Sequence, residues 1–214
     1  MKIVVLGATG ATGRQVVEQA LAQGDQVVAY VRNAQAITAR PGLQVMAGQL
    51  TDAAVLKAAI SGTDAVLVCL GTRKKKPVDL MQSGLPLIIQ AMKQTGVLRL
   101  VLVSAYGVGE TARTAGLIAR IVYRTWVPTV YRDKALSEAL LPDSGLQWTG
   151  LYPVGLTNGP PADVIEVRPM ARVQKVSGLP MISRANLARV MLDVARDDTT
   201  IGQKLLVTSK GSVR

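Results

Sequence analysis

The chain has 214 residues, 49 % hydrophobic and 18 % charged, which excludes a disordered chain and supplies apolar mass for one sizeable core. With no histidine and a single cysteine, Cys69, it can hold neither a Ser-His-Asp triad, a histidine-zinc centre, a disulfide framework nor a cysteine-ligated cluster, and no metal site is expected. A net charge of +11 and a pI near 10.2 ask for an anionic partner: nucleic acid, an acidic membrane surface, or small phosphates and carboxylates.

Short β-branched runs alternate with helical patterns, the mark of repeated βα units around a parallel sheet covered on both faces. Lys2-Leu6 is predicted as the first strand and Arg14-Gln23 as a helix with Val16, Val17, Ala20 and Leu21 on its apolar face, closed by Gly24. Gln26-Val31 and Leu43-Ala47 follow as strands, and Asp52 is placed to cap a helix reaching Ile60. Ala65-Leu70 is the fourth strand, with Cys69 packed inside as a small hydrophobe. A helix over Leu80-Gln94 leads to a strand over Leu98-Ser104, then helical patterns over Ala112-Arg124 and Val130-Leu141, the second ending at Pro142.

Gln147-Tyr152 is the sixth strand. Prolines and glycines then cluster from Pro153, with short β runs around Val164-Val167 and Val173-Val176. Ser183 caps a last helix, Ala185-Arg196, before a final strand, Lys204-Thr208. With neither repeat nor linker, residues 1-214 are expected to form one α/β domain, a doubly wound, mainly parallel sheet of the Rossmann type, with residues 153–182 a small excursion covering the substrate side. No apolar run reaches about 18 residues, so no membrane-spanning helix is expected. A first strand beginning at Lys2 leaves no room for a signal peptide, and the cytoplasm is the expected compartment.

The strongest motif is Gly7-Ala8-Thr9-Gly10-Ala11-Thr12-Gly13, opening from the first strand into the first helix. Glycines at this spacing permit the tight turn, the approach of backbone to a pyrophosphate and close packing of helix on strand, while helix-end N–H groups face the phosphates. The second strand ends Tyr30-Val31-Arg32-Asn33, with no carboxylate for a ribose 2′-hydroxyl; the fork of Arg32 suits a 2′-phosphate, so NADPH/NADP+ is expected over NAD(H).

GATGATG, Val31-Arg32-Asn33, Leu70-Gly71-Thr72-Arg73 and Val103-Ser104-Ala105 together resemble the atypical short-chain dehydrogenase/reductase superfamily in its NmrA-like branch. Gly71-Thr72-Arg73, Met81, Gly84, Ala91-Met92-Lys93 and Gly96-Val97 are most similar to its biliverdin-IXβ reductase (NADPH flavin reductase) type. The resemblance runs from Lys2 to about Pro153 and more loosely beyond. It implies that Gly7, Thr9, Gly10, Ala11, Thr12 and Gly13 cradle the pyrophosphate and that Arg32 holds the 2′-phosphate. It also implies that Gln49 and Leu50 line the adenine site, although the family's usual residue at Gln49 is Asp. Leu70, Gly71, Thr72 and Arg73 would line the middle of the cofactor, with Ser104, Pro153 and Val154 beside the nicotinamide. That reductase type carries a His at about Val154, and this chain has none.

Typical short-chain dehydrogenases pair a proton-donating Tyr with a Lys four residues later. Here Lys134 is preceded at that spacing by Val130; Tyr131 is one residue off, a rotation of about 100° around a helix. The expected chemistry is therefore hydride transfer from NADPH to a conjugated acceptor, a flavin or a linear tetrapyrrole, with the proton from solvent and Ser104 orienting the reaction. Arg73, Arg120 and Arg124, with Lys74-Lys75-Lys76, Arg168 and Arg172, are candidates for a basic rim around an anionic substrate. Tyr106, Met170 and Trp126 could wall a flat ligand or simply pack the core. A monomer without a specific nucleic-acid partner is expected; a non-catalytic NmrA-like NADP(H) sensor or assembly factor is the alternative.

Overall fold

The apolar runs pair into a sheet whose geometry sets where a ligand can enter. The computed structural model describes residues 1–72, 79–116, 128–161 and 164–214. Its strands are β1 (Lys2–Leu6), β2 (Gln26–Val31), β3 (Leu43–Ala47), β4 (Ala65–Val68), β5 (Arg99–Val103), β6 (Gln147–Pro153), β7 (Gly155–Thr157), β8 (Ile165–Pro169), β9 (Met181–Ser183) and β10 (Gln203–Ser209). Eight of them form one sheet in the order β3-β2-β1-β4-β5-β6-β10-β8, parallel throughout except that β8 runs antiparallel to β10. β7 and β9 form a separate parallel pair.

The first six strands give the dinucleotide-binding order, in which the sequence of strand addition reverses between β1 and β4. Alternation along β1 sends Ile3 and Val5 into one core and Val4 and Leu6 into the other. The first core includes Val16 and Val17 of α1 (Ala11–Ala22) and Leu187 and Met191 of α5 (Arg184–Ala195). The second is covered by α2 (Ala53–Ile60) and α3 (Leu80–Thr95) through Leu56, Ile60, Leu85 and Ile88. α4 (Pro128–Glu138) lies against α3, and Asp133 joins the two by accepting the Met81 and Gln82 N–H groups, each at 3.0 Å, at the start of α3.

Most predicted elements are present, and the departures have local causes. α1 begins at Ala11 rather than Arg14, because Gly13 belongs to the helix. Asp52 precedes α2, but its carboxylate accepts the N–H of Gln49 at 2.7 Å instead of capping the first turn. Ser183 does cap α5, accepting from Asn186 N–H at 3.1 Å. Of the helix predicted over Ala112-Arg124, residues 112–114 close a 3₁₀ segment over Gly109–Thr114, while residues 117–127 lie outside the described residues. There the hydroxyls of Thr111 and Thr114 donate to Val108 and Thr111 carbonyls and compete with helical pairing. Val173-Val176 is not a strand: a 3₁₀ turn precedes it and Val176 makes only isolated bridges, to Ala115 and Val213.

Candidate functional site

At the carboxyl end of β1 the chain turns sharply into α1. Gly7 has φ +87°, and a Cβ there would lie 2.9 Å from the Cys69 carbonyl oxygen, so this turn packs directly on the end of β4. A Cβ at Gly13 would lie 2.2 Å from the Gly7 carbonyl oxygen, a contact that only glycine avoids. The Gly10 N–H donates to Gly7 O at 2.9 Å, while Gly10 and Ala11 are exposed at the open end of the helix. The first-turn N–H groups of Ala11, Thr12 and Gly13 have no partner within the helix, and no acidic residue occupies that turn. The cradle suits a pyrophosphate sterically and electrostatically.

Beside this turn, Arg32 follows β2, exposed and with no hydrogen bond or ion pair to another described residue. Arg14, which sequence reasoning passed over, reaches the same region: its Nε donates to Thr9 O at 3.0 Å and one terminal nitrogen to Ala36 O at 3.4 Å. Its position directly after the third glycine was the available signal. Gln49 follows β3; its carbonyl accepts from the Tyr30 hydroxyl at 2.7 Å, leaving its side chain exposed. Leu50 packs against Gly84 of α3, where a Cβ would meet it at 2.7 Å.

The ends of β4, β5 and β6 bring the remaining described residues together. Leu70, Gly71 and Thr72 follow β4. Ser104 N–H donates to Leu151 O at 2.7 Å, Tyr106 N–H to Pro153 O at 2.8 Å, and Val154 N–H to Val207 O at 3.1 Å, which holds Ser104, Pro153 and Val154 on adjacent strand ends. Tyr106 is buried, with its hydroxyl 3.0 Å from Thr114 Oγ1, a core position. Arg73, Lys74-Lys75-Lys76, Arg120, Arg124 and Trp126 lie outside the described residues.

Beneath these strand ends, α4 buries a polar face: Asp133, Lys134, Ser137 and Glu138. Lys134 Nζ donates to Val103 O at 2.8 Å, whereas the Tyr131 hydroxyl donates to Tyr106 O at 3.2 Å, so Tyr131 and Lys134 serve different backbone groups. Glu138 Oε2 accepts from the Tyr152 hydroxyl at 2.7 Å. Burial pushes the Lys134 pKa down, against the pull of Glu138, Asp133 and Cys69, and pushes the Glu138 pKa up, against Ser104, Tyr152, Lys134 and Lys204. Cys69 is pushed up to about 12 by burial, Lys134 opposing, and its sulfur sits 3.7 Å from that of Met191; it follows β4, which ends at Val68 rather than Leu70, and packs partly buried against the first core. The Lys134/Glu138 spacing was visible in the sequence, but an i, i+4 pair reads as a solvated face unless its burial is known.

The NAD(P)H-binding family model matches residues 7–198. An uncharacterized chloroplastic protein of Arabidopsis thaliana is 28 % identical over 202 residues, covering 90 % of this chain and 71 % of that protein. The photosystem II assembly factor Ycf39 of Cyanophora paradoxa is 29 % identical over 154 residues, covering 70 % of this chain but only 44 % of its own length. Among solved structures, a short-chain dehydrogenase/reductase of Veillonella parvula in complex with NADP has a TM-score of 0.84 at 17 % identity, covering 100 % of this chain and 96 % of that one. ChuY, an anaerobillin reductase from Escherichia coli O157:H7, has a TM-score of 0.81 at 24 % identity, covering 99 % and 98 %. The structural likenesses bear out the Rossmann architecture, and the family model bears out a nicotinamide dinucleotide as the cofactor. The chain belongs to the NAD(P)H-binding family.

Proposed function

We propose that the chain is an NADPH-dependent reductase whose acceptor is a conjugated, anionic molecule: a flavin such as FMN or riboflavin, or a biliverdin-type linear tetrapyrrole. The observation that carries this reading lies on α4, where Lys134 donates to Val103 O and Tyr131 to Tyr106 O, two different backbone groups, and where Val130 rather than a tyrosine stands four residues before Lys134. An acceptor that spreads developing negative charge over a conjugated system does not need that acid at its reacting atom. ChuY, an anaerobillin reductase, has the same fold.

On this reading Gly7, Thr9, Gly10, Ala11, Thr12 and Gly13 bind the pyrophosphate, and Arg32, aided by Arg14, takes the 2′-phosphate and favours NADPH. Leu70, Gly71 and Thr72 line the middle of the cofactor, Ser104, Pro153 and Val154 flank the nicotinamide, and Gln49 and Leu50 border the adenine. Bound NADPH supplies hydride, and the chain contributes orientation and exclusion of water. Residues 153–182 cover the acceptor, and the chain works as a single-domain monomer in the cytoplasm.

A second reading, a non-catalytic NADP(H) sensor or assembly factor, is favoured by the similarity to Ycf39. NADPH oxidation followed with FMN, riboflavin and biliverdin isomers, and NADH as control, separates the two. Turnover with NADPH well above NADH is expected. Tight NADPH binding without turnover on any acceptor would leave the sensor.

A further inference from the structure

α4 ends in an arrangement that the reductase reading does not use. Glu138 is 8 % exposed and Ser104 is 4 % exposed. Glu138 Oε1 and Ser104 Oγ are both enclosed and without a hydrogen-bond partner of normal geometry. The two are nevertheless close enough for the serine hydroxyl to draw down the glutamate pKa. Native proteins rarely leave one buried polar atom unpaired, and here two lie near each other at the end of β5. The other carboxylate oxygen is fixed: Tyr152 Oη donates to Glu138 Oε2 at 2.7 Å, and the Tyr152 ring lies over Gly150, where a Cβ would be 3.1 Å from it.

We propose that Glu138 and Ser104 form a proton relay, in which Glu138 Oε1 stores a proton and passes it to the Ser104 hydroxyl, which gives its own to the reduced acceptor. This rests on the reductase reading and deepens it by assigning the route by which a solvent proton reaches the reaction. Bound NADPH supplies the hydride, and with it both electrons. The Ser104 O–H bond breaks as the new bond to the acceptor's proton-accepting atom forms. The Glu138 O–H bond breaks as the serine hydroxyl is remade. Glu138 is left as a carboxylate and regains its proton from water.

The surroundings suit a reservoir that alternates between two charge states. Glu138 faces Tyr152 from β6, Ser104 beyond the end of β5, Lys134 on its own helix and Lys204 from β10, and Lys204 is itself paired with Glu110. No ion pair ties Glu138 to either lysine among the described residues, because Lys134 is directed at Val103 O and Lys204 at Glu110. Burial favours the protonated acid, while the lysines and the two hydroxyls limit the cost of the transient carboxylate. Glu138 does not touch the acceptor; its role is exercised through Ser104.

Glu138→Gln preserves shape but holds no transferable proton. In the ligand-free protein at neutral pH, wild type is expected to show the infrared carbonyl band of a protonated carboxyl group that Glu138→Gln lacks. In turnover, kcat of the variant should fall about a hundredfold, within the range of a positioned general acid, with KM unchanged. The alkaline decline of kcat that the relay predicts for wild type should flatten in the variant. Ser104→Ala should lose kcat to a similar extent while keeping the infrared band, which covers the case of a Glu138 variant that fails to fold. Absence of that band in wild type, or a Glu138→Gln variant with unchanged kcat and pH profile beside an active wild type, overturns the relay alone. A wild type that binds NADPH but fails to oxidise it with any of FMN, riboflavin or the biliverdin isomers overturns the reductase reading, and the relay with it.

Discussion

The two ends of the main sheet handle polar groups in opposite ways. At the amino end, Arg99 at the start of β5 is buried, yet its terminal nitrogens donate to Gln147 O at 2.8 Å, Thr149 Oγ1 at 2.9 Å, Thr200 Oγ1 at 3.0 Å and Val194 O. Only its Nε lacks an acceptor. Asp25, between α1 and β2, is likewise engaged by Arg196 and the Met1 amine. At the carboxyl end, by contrast, the first-turn N–H groups of α1 lack helical partners, Arg32 has no partner among the described residues, and Ser104 and Glu138 each keep an unpaired oxygen. One end spends its polar groups on joining strands to helices; the other leaves them for something else. The difference is what the proposed nucleotide site at the carboxyl end requires.

Substitutions at the two ends should therefore fail differently. The largest effect is expected for Gly13→Val: its Cβ would meet Gly7 O at 2.2 Å, so α1 must move off β1. Stability should drop by about 3 kcal/mol, the upper part of the range for overpacking, and NADPH binding should vanish in calorimetric titration. Arg99→Leu removes a comparable amount, about 2–3 kcal/mol in urea unfolding, because Thr149, Thr200 and two carbonyls lose their donor. Its folded fraction should bind NADPH as wild type does, and a loss of affinity there would blur the contrast between the ends. Arg32→Ala should leave stability unchanged and weaken NADPH about tenfold or somewhat more, the scale of one charge-assisted contact, with NADH unaffected.

Smaller still are the opposed pH dependences of the two ends. At Asp25 burial acts to raise the pKa, but the Met1 amine and Arg196 outweigh it and the net shift is downward. Its contribution is present above the ordinary carboxylate range and is lost as pH falls through its lower folded value. Glu138 is shifted upward, chiefly by burial, so its contribution is present in acid and is lost as pH rises from the ordinary carboxylate range through its higher folded value. Urea unfolding across pH should show Asp25→Asn flattening the acid limb and Glu138→Gln the slope above it.

Much of the nucleotide side was legible because its constraints are local. GxxGxxG between an apolar strand and a helix dictates a turn that only glycine can make, and Arg32 follows from where β2 ends. The mainly parallel sheet followed from the alternation of β and α segments. The inner side was not legible, because its information lies in burial. Lys134 and Glu138 look like a solvated helix pair until α4 is seen to turn that face inward, and Tyr152 looks like an ordinary strand residue until its hydroxyl is seen to donate to Glu138. The 3₁₀ segment at Gly109–Thr114 was missed because threonine hydroxyls, rather than the apolar pattern, decide it. β7 and β9, three residues each, are too short to carry a periodic signal.

The central claim is that the carboxyl end keeps its polar groups for NADP(H). Thermal unfolding of the wild-type protein with no ligand, with NADPH and with NADH at equal concentration tests it most directly, since a ligand that binds only the folded state raises Tm in proportion to its occupancy. NADPH should raise Tm clearly and NADH by much less, and Arg32→Ala should narrow that difference. Equal shifts with the two nucleotides would contradict the role of Arg32, and no shift with either would contradict the carboxyl end as the nucleotide site.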